Sequence, residues 1–336
     1  MSTETSAASG TGEHAGEPGG AGGGHGGGKA IIAALTANLG IAVAKFVAFL
    51  VTGASSMLAE AIHSVADSGN QVLLLVGGKR AARAATPEHP FGFGRDRYIY
   101  AFIVSIVLFS VGGLFAIYEG YHKLTHPEEL TSPIWAFGVL LVAVALEGYS
   151  LRTAVKETRA VKGPDQSYWQ FIRRARQPEL PVILLEDVAA ETGLALALIG
   201  VGLTTLTGDG MWDGLATIAI GLLLVVVAII LATETKSLLL GESATTQDVA
   251  KIRQALESTG TSIIHMKTMH LGPDEVLVAA KIAVQQDETA ESVAREIDAA
   301  EAAIRAAVPM ARVIYLEPDI RRGGQNTSGA SAAPPV

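Results

Sequence analysis

The chain has 336 residues, 49% of them apolar and 17% charged, and its mean hydropathy is +0.36. That balance points to a membrane protein with a soluble part. The absence of cysteine excludes a disulfide framework and a thiolate metal centre. The net charge of −8 belongs mainly to the soluble pieces and says little about fold.

Residues 1–28 are Gly, Ser, Thr and Ala with a few acids, a composition that cannot bury a core and is expected to form a disordered tail. His14 and His25 stand isolated in it. No charged start, apolar run and cleavage site follow one another there, so it does not read as a signal peptide.

Six apolar spans follow, at 30–52, 55–78, 97–121, 132–155, 181–206 and 211–234, each near the ~20 residues a membrane-crossing helix needs. Loop charges orient them. The loop after the second span carries Lys79, Arg80, Arg83, Arg95 and Arg97, and the loop after the fourth carries Lys156, Arg159, Lys162, Arg173, Arg174 and Arg176. The opposite connections hold Lys123 alone, so the positive-inside rule puts both termini in the cytoplasm, and the expected location is a cell membrane, bacterial in kind. Tyr98, Tyr100, Tyr118, Tyr121, Trp135 and Trp212 fall near span ends, where amphipathic rings prefer to lie. Lys45 is an odd charge in the first span, expected to snorkel or to pair with an acid such as Glu119 or Glu147.

The second span carries Glu60, His63 and Asp67, at i, i+3 and i+7, on one helical face. An ionised group at mid-membrane costs roughly 2.5–3.5 kcal/mol on insertion scales, so three on one stripe need compensation. A divalent metal supplies it: His63 and Asp67, at i and i+4, present an imidazole nitrogen and a carboxylate to one point. The competing reading is a polar seam bonded to neighbouring helices. The fifth span repeats the pattern with Glu186, Asp187 and Glu191. Asp187 and Glu191 share a face, Glu186 points about 100° away, and Asp187 is the best partner for His63 and Asp67.

Beyond Glu242 the chain becomes polar and mixed. Helical periodicity over Thr245 to Ser258, with Thr245 or Thr246 as cap, precedes alternating strands at Ile263 to Leu271 and Glu275 to Val284. Gly272-Pro273-Asp274 makes the turn between the strands. A helix over Ala290 to Ala307 and a strand over Arg312 to Leu316 complete an αββαβ order. The expected organisation is a 1–28 tail, a 29–240 six-helix transmembrane bundle, a 241–320 cytoplasmic α+β domain, and a Gly/Ser/Ala/Pro tail at 321–336.

Over residues 30 to 318 this sequence resembles the cation diffusion facilitator family of zinc and divalent-metal transporters. The resemblance is carried by the run from Gly53 through His63 to Asp67, by His89-Pro-Phe-Gly-Phe-Gly94 after the second span, and by six spans followed by αββαβ. It implies a ferredoxin-like, metallochaperone-like cytoplasmic domain that pairs two copies into a homodimer. It also implies a tetrahedral site shared by the second and fifth spans, with metal leaving the cytoplasm in exchange for protons. On this reading His63, Asp67, Asp187 and Glu186 hold the ion, zinc foremost, with Glu191, a water or nothing as alternatives for the fourth place. The common His four residues before Asp187 is Ile183 here, and Glu186-Asp187 is similar to the mitochondrial zinc transporter branch.

One imidazole among carboxylates is a harder donor set, which brings manganese, iron and cobalt beside zinc. Phe93 stands where a second loop histidine would join His89, so no complete site is expected there. His265 and Glu317 match family ligand positions in the cytoplasmic domain, but Tyr315 replaces another. Arg95 corresponds to a basic position expected to pair with Glu242. No cofactor beyond the transported ion, no nucleic acid and no enzymatic nucleophile is expected. The alternative from another class is a transport-inactive scaffold or partner subunit, against which the retained His63, Asp67 and Asp187 argue.

Overall fold

A computed structural model describes residues 27–127 and 130–320, with side chains from residue 38. The expected tails at 1–28 and 321–336 lie outside it but for Gly27 and Gly28, which open the first helix. Each apolar span is helical. They are α1 (Gly27–Thr52), α2 (Ser55–Ala81), a third span of α3 (Asp96–Val107), a π-helical segment (Leu108–Leu114) and α4 (Phe115–Thr125), then α5 (Pro133–Val161), α7 (Glu179–Thr207) and α8 (Met211–Leu240). Among the described residues, Asp96–Thr125, Pro133–Val161 and Met211–Leu240 are long and apolar enough to cross a membrane by composition alone. α2 and α7, of 27 and 29 residues, have the length to span a hydrocarbon core of ~30 Å and carry the ionisable stripes.

The outward faces fit lipid. Val43, Val47, Leu50, Ile106, Leu141, Ile199, Leu222, Val226 and Ile229 are exposed on the bundle, a surface that water would not tolerate at this density. Inside, Met57, Leu108, Leu140, Leu194, Ile220, Leu224 and Leu231 pack together. The third and sixth spans touch backbone to backbone. A Cβ on Gly120 would stand 2.7 Å from the Gly214 carbonyl oxygen, so the small residue is what permits the approach. Asp213 on α8, fully buried, accepts from the Ser55 and Ser56 amides at 2.6 and 3.3 Å and from the Ser56 hydroxyl. A carboxylate from the sixth span therefore satisfies the free N–H groups that start α2.

A short helix that hydrophobic periodicity does not mark, α6 (Tyr168–Arg174), lies between α5 and α7. Its signal was present as a capping box: Ser167 accepts from the Gln170 amide while Gln170 reaches back to the Ser167 amide.

The αββαβ order appears as α9 (Thr246–Ser258), β1 (Ser262–Gly272), β2 (Glu275–Val284), α10 (Ala290–Ala307) and β3 (Ala311–Ile320). Thr245 caps α9 by accepting from the Asp248 amide at 3.1 Å. β1 and β2 form an antiparallel hairpin with Met266 opposite Ala280; β2 and β3 run parallel, with Val278 opposite Ile314, after the α10 crossover. The last strand outruns its expected end because register pairing continues to Ile320. Ile252, Leu256, Val276, Val278, Ala300 and Ile304 form this domain's own core.

Candidate functional site

Residues 60 to 70 of α2 bring the polar stripe into the bundle. His63 is buried, and its Nε2 lies 3.4 Å from Asp67 Oδ2. Neither ring nitrogen of His63 has a hydrogen-bond partner, nor has Asp67 Oδ1. Buried polar atoms left unpaired cost about 1–3 kcal/mol each, so such a group of them needs a reason. Two ligands bound to one tetrahedral ion at about 2.0–2.1 Å stand roughly 3.3 Å apart, the separation His63 and Asp67 already have.

α7 lies between α2 and α5, and its two adjacent acids divide between those neighbours. Asn70 Nδ2 on α2 donates to Glu186 Oε1 at 2.7 Å, whereas Ser150 Oγ on α5 donates to Asp187 Oδ2 at 3.0 Å. The 100° step between successive helical residues lets Glu186 and Asp187 border one space from two sides. That space is a small cavity lined by Asn38, Ser64, Asp67, Gln71, Glu147, Ile183, Glu186 and Asp187. Thus Asp67, Glu186 and Asp187 share a cavity, and His63 adjoins it through Asp67. Glu191 does not line it and lies toward Gly148. Among the described residues no three His, Asp or Glu groups converge closely enough to hold an ion in this conformation.

The reading of α2 alone missed Asn70, Ser64 and Gln71, and it placed Glu147 only as a possible partner of Lys45. Asn70 was discoverable, since it continues the His63 and Asp67 face at i+7 and i+3. Lys45 does not snorkel. Its ammonium, fully buried, donates to Ser64 Oγ at 2.8 Å and Glu60 Oε2 at 3.1 Å, and stands 3.7 Å from Glu147 Oε1. Glu60 is therefore committed to Lys45, and Glu119 instead accepts from Ser55 Oγ at 3.3 Å.

The expected Arg95–Glu242 pair is not formed. Glu242 pairs with Arg176, at the loop that enters α7, while Arg95 Nη2 donates to Met269 Sδ at 3.5 Å. The reason is tertiary: the chain leaving α8 passes beside the α6–α7 loop, so Arg176 reaches Glu242 first. Arg97 completes the junction, bonding Asp274 in the β1–β2 turn at 2.6 Å and Glu179 at the start of α7. Arg176→Ala is expected to cost about 1.5–3 kcal/mol, the range for hydrogen bonds to charged groups, and Arg95→Ala much less. Thermal unfolding of the two purified variants in detergent checks this, and equal losses would count against the assignment.

His89 packs against Phe93 with ring centroids 4.7 Å apart and the rings tilted by 33°, and Arg83 lies over the same Phe93 ring. In the C-terminal sheet, His265 is opposite Lys281, and Lys281 is opposite Glu317. The intervening strand keeps His265 and Glu317 roughly 9–10 Å apart. Lys281 bonds Glu317 at 3.0 Å and Asp319 at 3.2 Å, and hydrogen bonds to these acids raise its pKa. An ammonium thus sits where a shared cation would have to lie.

A bundle of apolar helices with lipid-compatible faces, carrying inward acids and a buried histidine, defines an integral, multi-pass membrane protein with an intramembrane stripe of ionisable residues. The chain belongs to the cation efflux family, whose transmembrane domain matches residues 31–240. It is similar to "Proton-coupled zinc antiporter SLC30A9, mitochondrial" of Homo sapiens, 34% identical over 241 residues, covering 71% of this chain and 42% of that protein. It is also similar to "Metal tolerance protein C4" of Arabidopsis thaliana, 29% identical over 259 residues, covering 76% of this chain and 56% of the relative. A third relative is "Magnetosome protein MamM" of Paramagnetospirillum magneticum, 27% identical over 129 residues, covering 36% and 40%. The chain spans less than half the length of the mitochondrial antiporter that it matches. These relatives support the integral-membrane reading and give none to a bacterial cell membrane in particular.

Proposed function

We propose that this protein exports divalent metal ions, zinc foremost, from the cytoplasm in exchange for protons by alternating access around a mid-membrane site. The observation that carries the reading is His63, buried with both ring nitrogens unpartnered and 3.4 Å from Asp67, beside a cavity that Glu186 and Asp187 also line. On this reading His63, Asp67 and Asp187 bind the ion. Glu186 is favoured over Glu191 as the fourth ligand because it lines the cavity and Glu191 does not. The SLC30A9 relatives are named as proton-coupled zinc antiporters, which supports the coupling of zinc to protons. Both termini are cytoplasmic by the loop charges, and the cytoplasmic α+β domain pairs two copies.

In the mechanism, the cytoplasm-facing cavity presents deprotonated carboxylates and a neutral imidazole, the forms that bind metal. His63 supplies the nitrogen that favours zinc, and Asp67, Glu186 and Asp187 supply charge and oxygen. Asn70 and Ser150 hold the two α7 acids in place at 2.7 and 3.0 Å. On the other side of the membrane, protons take the same lone pairs and the ion leaves. The deciding experiment is zinc flux into vesicles containing the purified full chain, read by an enclosed zinc dye. Uptake well above protein-free vesicles is expected, and none with inserted, folded protein would overturn the reading. Because oxygen donors predominate, manganese should compete measurably with zinc in the same assay.

A further inference from the structure

We propose that Glu147, on the fourth span, is an additional carboxylate of the ion site, held in reserve by Lys45; this rests on the transport reading above. Glu147 and Ser64 line the cavity that Asp67, Glu186 and Asp187 also line. Lys45 touches both residues from outside that cavity, so a fixed cation is built against the site's wall.

The two acids near Lys45 are held differently. Glu60 is fully buried and takes a direct hydrogen bond from Lys45 at 3.1 Å. Its other oxygen has no partner, so the Lys45 ammonium is what permits its charge in that place. Glu147 lies at 3.7 Å, beyond hydrogen-bond distance, and among the described residues no side chain donates to its carboxylate. Lys45 therefore balances the Glu147 charge without fixing its orientation. Glu147 is also the less buried of the pair, its side chain 13% exposed against 0% for Glu60.

A carboxylate that is charge-balanced but not bonded can turn toward a stronger cation at little cost. When a divalent ion enters the cavity, Glu147 exchanges a monovalent partner for a divalent one, and Lys45 keeps Glu60 and Ser64. The exchange involves no bond breaking beyond that ion contact. It adds an oxygen donor from the fourth span to a site otherwise built on the second and fifth, and it biases the site toward ions that accept harder, more numerous oxygens. Lys45 is a positioning residue in this scheme, because it sets how freely Glu147 responds.

The test uses the full-length protein in detergent, with zinc and manganese affinities from calorimetry and unfolding temperature as a separate readout. Glu147→Gln is expected to weaken zinc binding roughly 10–100-fold and manganese binding by a larger factor, lowering the manganese-to-zinc ratio. Lys45→Met alone would strand buried Glu60, so the informative variant is the pair Lys45→Met with Glu60→Gln, which removes both charges together. That pair is expected to bind zinc more tightly, by roughly tenfold, and adding Glu147→Gln should erase the gain. Wild-type affinity and selectivity in Glu147→Gln, or an undiminished gain in the triple variant, would overturn the proposal. Asp67→Asn is measured alongside. If it abolishes binding while Glu147→Gln does not change it, this inference fails and the transport reading stands; if neither changes binding, the transport reading fails too.

Discussion

Asp67→Asn is expected to abolish zinc movement into vesicles while leaving a folded, membrane-inserted protein. Asn keeps the shape of Asp and removes its charge and one acceptor, so packing of α2 changes little. The loss falls on the ion. Asp67 is the residue that joins His63, at 3.4 Å, to the cavity shared with Glu186 and Asp187. Without it, His63 is separated from the α7 carboxylates and a four-ligand set becomes two disconnected parts. Even supporting groups around metal sites typically contribute 10–100-fold in affinity, and a charged direct ligand contributes more. Flux should fall to the protein-free level and remain there at raised zinc concentration. Glu186→Gln and Glu191→Gln, measured in the same vesicles, separate the two readings of the fourth ligand. The cavity lining predicts a large loss for the first and a small one for the second. The opposite order would return the assignment to the shared helical face of Asp187 and Glu191.

That contrast shows what could be read from the sequence and what could not. Periodicity finds which residues share a face of one helix, and it correctly joined His63 to Asp67. It cannot say which neighbours flank that helix. Glu186 and Asp187 point in different directions, yet both reach the cavity because α2 stands on one side of α7 and α5 on the other. The same limit applies to Lys45. Its acid partner Glu60 was visible fifteen positions away, but it was counted into the stripe because a single-helix reading has no term for the first span crossing the second. The C-terminal order αββαβ was legible because strand alternation and helical periodicity are local signals. The Arg95–Glu242 pairing was not, since the meeting of Arg176 with Glu242 depends on how the α6–α7 loop lies beneath α8. The capping box of α6 is, like the position of Asn70, a local signal passed over; Ser167 and Gln170 stood in an arginine-rich loop that looked like charge alone.

Zinc accumulation in vesicles should follow an imposed proton gradient and collapse when that gradient is dissipated. The ligands proposed here are His63 and carboxylates, and metal binds only their deprotonated forms, so each ion bound displaces protons and each proton bound displaces the ion. With the vesicle interior more acidic than the medium, the site loads zinc where protons are scarce and releases it where they are abundant. Moving zinc against its own concentration difference is then possible with the membrane potential clamped at zero, which a channel or uniporter cannot do. The experiment reconstitutes the full chain in vesicles with an acidic lumen and follows an enclosed zinc indicator beside an enclosed pH indicator. Proton efflux should accompany zinc entry, and a protonophore added at the plateau should release the excess zinc. His63→Asp gives a second arm. Replacing the only imidazole of the set with a carboxylate leaves a titratable ligand, so coupling is expected to persist. Preference for zinc over manganese should fall, because nitrogen is the donor that favours zinc. Zinc entry that is indifferent to the gradient, with no proton movement, would remove antiport and leave passive conduction through the same ligands.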